Sequence, residues 1–213
     1  MSIHYTANEE RANYLTHGAG FIIGIIASFI FLKMTYTQYD VLAQFGILLY
    51  AFGVLSSYLA STIYHASKQG TLRRERLRKF DHSAIYWHIA GSYSPITLIG
   101  MRDDMFWGWL LFIIVWTCAL FGSFMSFRGL KEHSNLETCC FVGMGLTVLL
   151  AFKPVLDAIG WPVMGWIIAE GVAFITGALF YSMNKKAFMH TVFHVFVILG
   201  SLCHFVAIWN MLS

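Results

Sequence analysis

Long apolar runs alternate with short polar breaks from one end of the chain to the other. The runs predict seven helical spans, at about residues 14–34, 41–64, 80–100, 105–127, 135–152, 161–183 and 187–211. At about 1.5 Å per residue, each is long enough to cross about 30 Å of hydrocarbon, the fifth being the shortest. The breaks carry the charges and the helix breakers: Asp40, the stretch 68–79, Arg102-Asp103-Asp104, Lys153-Pro154 and Gly160-Trp161-Pro162. No break is long enough to separate domains. The expectation is an all-α membrane protein, a single seven-transmembrane-helix bundle over residues 1–213.

Composition agrees with the pattern. Only 12% of residues are charged and 58% are hydrophobic, against about 25% charged in soluble domains. A multi-pass protein of the cell (inner) membrane is expected, with membrane lipids as its partners. The first dozen residues are polar and include Glu9 and Glu10. They lack the basic start of a cleavable signal peptide, so the first span is expected to serve as an uncleaved insertion signal. Cys118, Cys139, Cys140 and Cys203 show no Cys-x-x-Cys spacing and read as small buried apolar residues. No phosphate loop, dinucleotide fingerprint or internal repeat stands out, and nothing supports nucleic-acid binding.

Charge sets the orientation. Eleven of the 14 Lys and Arg residues fall on the amino-terminal side of the spans: Arg11, Lys68, Arg73, Arg74, Arg76, Arg78, Lys79, Arg128, Lys131, Lys185 and Lys186. Only Lys33, Arg102 and Lys153 fall on the other. Basic loops stay cytoplasmic, so the amino terminus is expected in the cytoplasm and the carboxyl terminus outside. The stretch 68–79 is read first as a topology signal. The sharper alternative is a short surface helix, with Leu72 and Leu77 dipping inward and its arginines holding anionic head groups.

Against this apolar background the polar residues stand out. His190 and His194 lie four apart, on one face of the last helix. Ser61-Thr-Ile-Tyr-His65 closes the second span and Asp81-His82 opens the third. With the expected topology, all reach the same leaflet. Ionisable groups in a span are costly and tend to be functional. The convergence predicts a metal site with His65, His190 and His194 as ligands, and zinc is the natural metal for three imidazoles and an open position. Asp81 is placed beside it, to orient a water or accept its proton. Ser61, one turn before His65, bonds Asp81 or the water, or else caps a backbone carbonyl. Such a site supports hydrolysis of a lipid amide or ester, with Asp81 passing the proton to the leaving group.

These residues resemble the hemolysin III family of bacterial membrane proteins, grouped with the progestin and adipoQ receptors and more distantly with alkaline ceramidases. The resemblance rests on Asn13-Tyr-Leu-Thr-His17-Gly, Ser61 to His65, Phe80-Asp81-His82-Ser-Ala-Ile-Tyr86, Gly91-Ser-Tyr-Ser-Pro95, and His190 to His194 followed by Gly200-Ser-Leu-Cys-His204-Phe. It implies seven helices, a cytoplasmic amino terminus, and zinc on the histidines at 65, 190 and 194 with Asp81 nearby. The receptor branch carries a large cytosolic amino-terminal region that is missing here, which argues against a hormone-receptor role. His88 departs from the apolar residue usual in the family. It reads as a spare ligand or, preferentially, as a buried histidine bonded to a backbone carbonyl.

Other polar residues complete the reading. Glu170 and His204 are expected deep in the sixth and seventh spans, paired with each other or with Ser201. Ten residues separate His194 from His204, about 15 Å of helix, so both cannot hold one ion. His17 either lines the cytoplasmic mouth or bonds an adjacent span. His4 and His133 read as solvated. Trp107, Trp109, Trp161, Trp166 and Trp209 form an interfacial belt at the outer ends of spans. Gly18-x-Gly20-x-x-x-Gly24 and Gly143-x-Gly145 would serve close packing within the bundle or pairing of two copies as a homo-oligomer. Three functions remain open: a zinc-dependent lipid hydrolase acting in membrane lipid homeostasis, a non-enzymatic sensor or regulator pinned by structural zinc, and a pore-forming cytolysin. No ring of charges lines a conduit, which disfavours the pore.

Overall fold

In the computed structural model, residues 5–128, 135–183 and 186–213 are described. The expectations for His4, Lys131, His133 and Lys185 lie outside them. The described residues form α1 (Ala7–Gln38), α2 (Val41–Ala66), α3 (Leu72–Pro95), α4 (Met105–Arg128), α5 (Asn135–Gly145), α6 (Phe152–Ser182) and α7 (Met189–Leu212). A π turn, Ile96–Gly100, follows Pro95, which ends α3 without a backbone N–H to donate. A 3-10 segment, Leu146–Ala151, joins α5 to α6. No strand occurs among the described residues.

Five stretches are long and apolar enough to cross a membrane: α1, α2, α4, the run Leu136–Ser182 and α7. The chain is thus an all-helical, multi-pass membrane protein. The run Leu136–Ser182 holds 47 residues, far more than the ~20 a single crossing needs. It is broken by the 3-10 segment and by Gly160, whose φ of 71° lies in the left-handed region. Side chains resist that region and glycine does not. α3 falls outside the five because its first turns carry Arg73, Arg74, Arg76, Arg78 and Lys79 and the rest of it is rich in polar residues, among them Asp81, His82 and His88.

That basic stretch corrects the alternative of a separate surface helix with Leu72 dipping inward. It is the beginning of α3, capped by Thr71, whose hydroxyl accepts the Arg74 N–H at 3.3 Å. Leu72 is exposed and Arg74 is the residue turned inward. A second correction concerns the cysteines: Cys118, Cys139 and Cys140 face outward and Cys203 is half-buried.

Polarity runs inside out relative to a soluble bundle. On α1, Asn13, His17, Gly20, Gly24, Ala27, Phe31 and Thr35 are buried while Ile22, Ile25, Ile26 and Phe29 are exposed. The inward residues recur every three or four positions, one helix face. Small side chains on that face let α2 approach. A Cβ on Gly20 would sit 2.5 Å from the Tyr58 ring. Gly53 and Gly91 bring α2 and α3 together in the same way, a Cβ on Gly53 falling 2.3 Å from the Trp87 carbonyl oxygen. Gly20 and Gly24 therefore serve packing within the bundle, whereas Gly143 and Gly145 face open space. Of the tryptophans, Trp109, Trp161, Trp166 and Trp209 are exposed, and Trp107 packs partly into the core.

Candidate metal centre

His65 is delivered by the last turn of α2, and His190 and His194 by the first turns of α7. Four-residue spacing puts the two α7 rings one above the other. His190 Nε2 lies 3.1 Å from His65 Nε2 and 3.0 Å from His194 Nε2. Among the described residues these three form a group able to hold a metal ion, their ligand atoms all within 4.8 Å of one another.

The outer ring nitrogens explain why the inner ones point together. His65 Nδ1 lies 2.8 Å from Glu10 Oε2. An ionised carboxylate only accepts, so Nδ1 carries the proton and Nε2 presents its lone pair. Asn13 Nδ2 also approaches His65 Nδ1, at 3.5 Å, a contact too long to compete. His194 Nδ1 lies 3.2 Å from the Asn13 carbonyl oxygen, which fixes the same tautomer. The Thr16 hydroxyl, 3.3 Å away, donates to backbone carbonyls and accepts from that ring. Two lone pairs thus face the nitrogen of His190. One imidazole N–H cannot serve both, but a cation can. Zinc–nitrogen bonds of about 2.0–2.1 Å in a tetrahedron space the nitrogens about 3.3 Å apart. The two spacings from His190, 3.1 and 3.0 Å, lie within a few tenths of an ångström of that value.

Glu10 was not singled out by the sequence, yet it organises the centre. It receives His65 Nδ1, the Arg74 guanidinium and, at 3.0 Å, Gln69 Nε2. Arg74 also donates to the carbonyls of Tyr64 and Ser67 at the end of α2, 3.1 and 2.7 Å away. The signal that could have found this face is Glu10, Asn13 and His17 at three- and seven-residue spacing. Glu9 makes a parallel link: its carboxylate closes the capping box of α1 with Thr6 and accepts the Phe188 N–H at 2.9 Å. Phe188 has φ 61°, and this bond holds the turn that launches α7.

Asp81 on α3 and Ser61 on α2 are brought to the same cavity, of about 390 Å³, whose wall also includes His190 and His194. His82 borders it too and pairs with Glu137 Oε2 on α5 at 2.7 Å, while Glu137 Oε1 accepts the Ser126 hydroxyl at 2.8 Å. This clamp joins α3, α4 and α5.

His17 does not make the expected hydrogen bond to an adjacent span. It borders the cavity, but its ring stacks on His194, centroids 3.4 Å apart, and neither ring nitrogen has a hydrogen-bond partner. His88 bonds a side chain instead of the expected backbone carbonyl. Its Nε2 lies 3.3 Å from Ser201 Oγ, which also accepts the Tyr58 hydroxyl at 2.8 Å. The pairing of Glu170 with His204 is present, Nδ1 to Oε2 at 2.7 Å.

The cavity wall is mostly apolar and runs from the histidines to Glu170 and His204. Leu149 on the 3-10 segment and Val172 on α6 border it, and each is 60% exposed.

Known proteins share this arrangement of sequence. The family model described as Haemolysin-III related matches residues 5–205. Hemolysin-3 of Bacillus cereus is 32% identical over 193 residues, covering 91% of this chain and 87% of that protein. The Hemolysin-3 homolog of Bacillus subtilis (strain 168) is 32% identical over 204 residues, covering 94% and 93%. The human protein named monocyte to macrophage differentiation factor is 22% identical over 219 residues, covering 97% and 86%. The match of the family model over nearly the whole chain, with two relatives above 30% identity, shows that this protein belongs to the hemolysin III-related family.

Proposed function

We propose that this protein is an intramembrane zinc-dependent hydrolase of a lipid amide or ester, working in membrane lipid homeostasis. One observation carries the reading: three imidazole nitrogens converge at 3.0 and 3.1 Å beside a mostly apolar cavity that also presents Asp81 and Ser61. His65, His190 and His194 would hold a zinc ion, which when bound would supply Lewis acidity toward a carbonyl and lower the pKa of water toward about 7. The remaining work falls to side chains. Asp81 takes the proton from the attacking water and returns it to the leaving group. Ser61 holds the Asp81 carboxylate in place. The apolar wall binds the lipid chain and excludes bulk water, and a gap beside Leu149 and Val172 admits it from the bilayer.

The topology belongs to the same proposal. The chain crosses the membrane seven times, α3 and each limb of Leu136–Ser182 making a crossing, with the amino terminus cytoplasmic and the carboxyl terminus outside. The centre then opens to the cytoplasmic leaflet.

A second reading has its own support. The histidines tie α2 to α7, and Glu10 and Asn13 tie both to α1, as a structural zinc pin in a non-enzymatic regulator would. Metal analysis of the pure protein separates the possibilities in two steps. Wild type is expected to hold one zinc per chain and His190→Ala almost none; a metal-free wild type ends both readings. Asp81→Ala is then expected to keep zinc and fold while losing lipid turnover. If no amide or ester lipid is turned over by wild type, the regulator stands.

A further inference from the structure

The far end of the cavity carries a second polar centre that the hydrolytic reading does not use. Glu170 on α6 and His204 on α7 both border the cavity. His204 is 3% exposed and its Nδ1 meets Glu170 Oε2 at 2.7 Å. Its other nitrogen, Nε2, is buried with no hydrogen-bond partner. Buried polar atoms without partners are rare and costly, and in a ligand cavity they mark where a ligand atom belongs. His88, also on the wall, adds a polar atom through its contact with Ser201.

We infer that Glu170 and His204 form a subsite for a hydroxyl group carried on the apolar body of a lipid whose head sits at the three histidines. This rests on the cavity being a lipid site, as proposed above. The chemistry selects a hydroxyl. With Nδ1–H given to Glu170, Nε2 accepts a proton if the ring is neutral and donates one if it is charged, and a hydroxyl satisfies either state. A second carboxylate would meet the charge of Glu170 in a medium of low dielectric and be repelled. The ten residues from His194 to His204 set the separation at about 15 Å. An extended chain of roughly a dozen carbons spans it, each C–C bond of about 1.52 Å advancing about 1.25 Å.

The test compares dodecanoic acid with 12-hydroxydodecanoic acid, displacing a fluorescent fatty acid from the zinc-loaded full chain in nanodiscs, corrected for partition into protein-free discs. The hydroxy acid is expected to bind about five- to tenfold tighter, the scale of one buried hydrogen bond. The double variant Glu170→Leu/His204→Phe, which leaves neither charge unpaired, is expected to keep the dodecanoic acid affinity and lose the preference. A preference that survives in it overturns the subsite. Chain length supplies a check that needs no variant: the preference appears at twelve carbons and is absent at eight. Equal binding of plain and hydroxy acids at both lengths overturns the subsite alone. Failure of wild type to bind either acid overturns the lipid cavity with it.

Discussion

The carboxylate of Glu10 meets Nδ1 of His65 at 2.8 Å, joining the first turn of α1 to the last turn of α2. The same carboxylate receives the Arg74 guanidinium from α3. Three helices therefore converge on one residue, which fixes the tautomer and direction of a candidate metal ligand.

Replacing Glu10 tests that role. Removing a partner of this kind typically costs 10–100-fold in metal affinity. Glu10→Gln keeps the shape and a hydrogen-bonding oxygen but loses the charge, so it is expected near the lower end, about tenfold. Glu10→Ala leaves Arg74 buried without its carboxylate and is expected to lose both metal and stability. Chelator competition reads the first effect and thermal melting in detergent the second. Unchanged zinc affinity in both variants would show that the ring is oriented by packing alone.

Close contact between α2 and α3 sets the relation of His65 and Ser61 to Asp81. A side chain at Gly53 would collide with the Trp87 carbonyl at 2.3 Å, and backbone cannot yield as a flexible side chain does. Gly53→Val is expected to force the helices apart, at a cost of about 1–3 kcal/mol or more. The bound zinc should fall with the melting temperature. Gly143→Val, where nothing lies within 4 Å, should leave both unchanged.

At the other face, Asp40 caps α2 and pairs with Arg102. The Ala43 N–H, with Arg102 beside it, holds the Asp40 carboxyl below its ordinary value. A depressed carboxyl stabilises the fold above its unfolded pKa, and the stabilisation is lost as pH falls through the folded value. The melting temperature of wild type should therefore exceed that of Asp40→Ala near neutrality. The gap should close below the ordinary aspartate range, about 3.9. A gap constant down to pH 2 would remove the charge from the explanation. Asp40 is half-exposed, so the effect is small and shrinks with salt.

How much was legible follows from contrast. His65, Asp81, His190 and His194 stand out because polar groups in apolar runs are expensive, and the pairing of Glu170 with His204 followed from counting depth along two helices. Glu10, Asn13 and Arg74 were not assigned to the centre for the opposite reason. They sit in polar flanks, where one more polar residue carries no signal, and their importance lies in contacts between elements more than 50 residues apart in sequence, such as Glu10 to His65. The start of α3 was missed because its arginines defeat a hydropathy criterion, although Thr71 marks the cap. The cysteines were misplaced because the rule that apolar residues go inside fails in a bilayer, where Cys118 and Cys139 face outward at no cost.

The proposed lateral gap makes the last prediction. Val172 is 60% exposed and borders the cavity, well away from the three histidines. A larger side chain there narrows the passage between α6 and the 3-10 segment without touching the ligands or Asp81. Val172→Trp is expected to keep its zinc and its melting temperature while dodecanoic acid associates at least tenfold more slowly. Dissociation should slow in step, because a narrowed passage raises the barrier in both directions and leaves the equilibrium nearly unchanged. Stopped-flow displacement of a fluorescent fatty acid measures both rates. A variant with wild-type rates would place the route elsewhere. One with a weakened equilibrium but an unchanged association rate would show that Val172 contacts the lipid in its bound position.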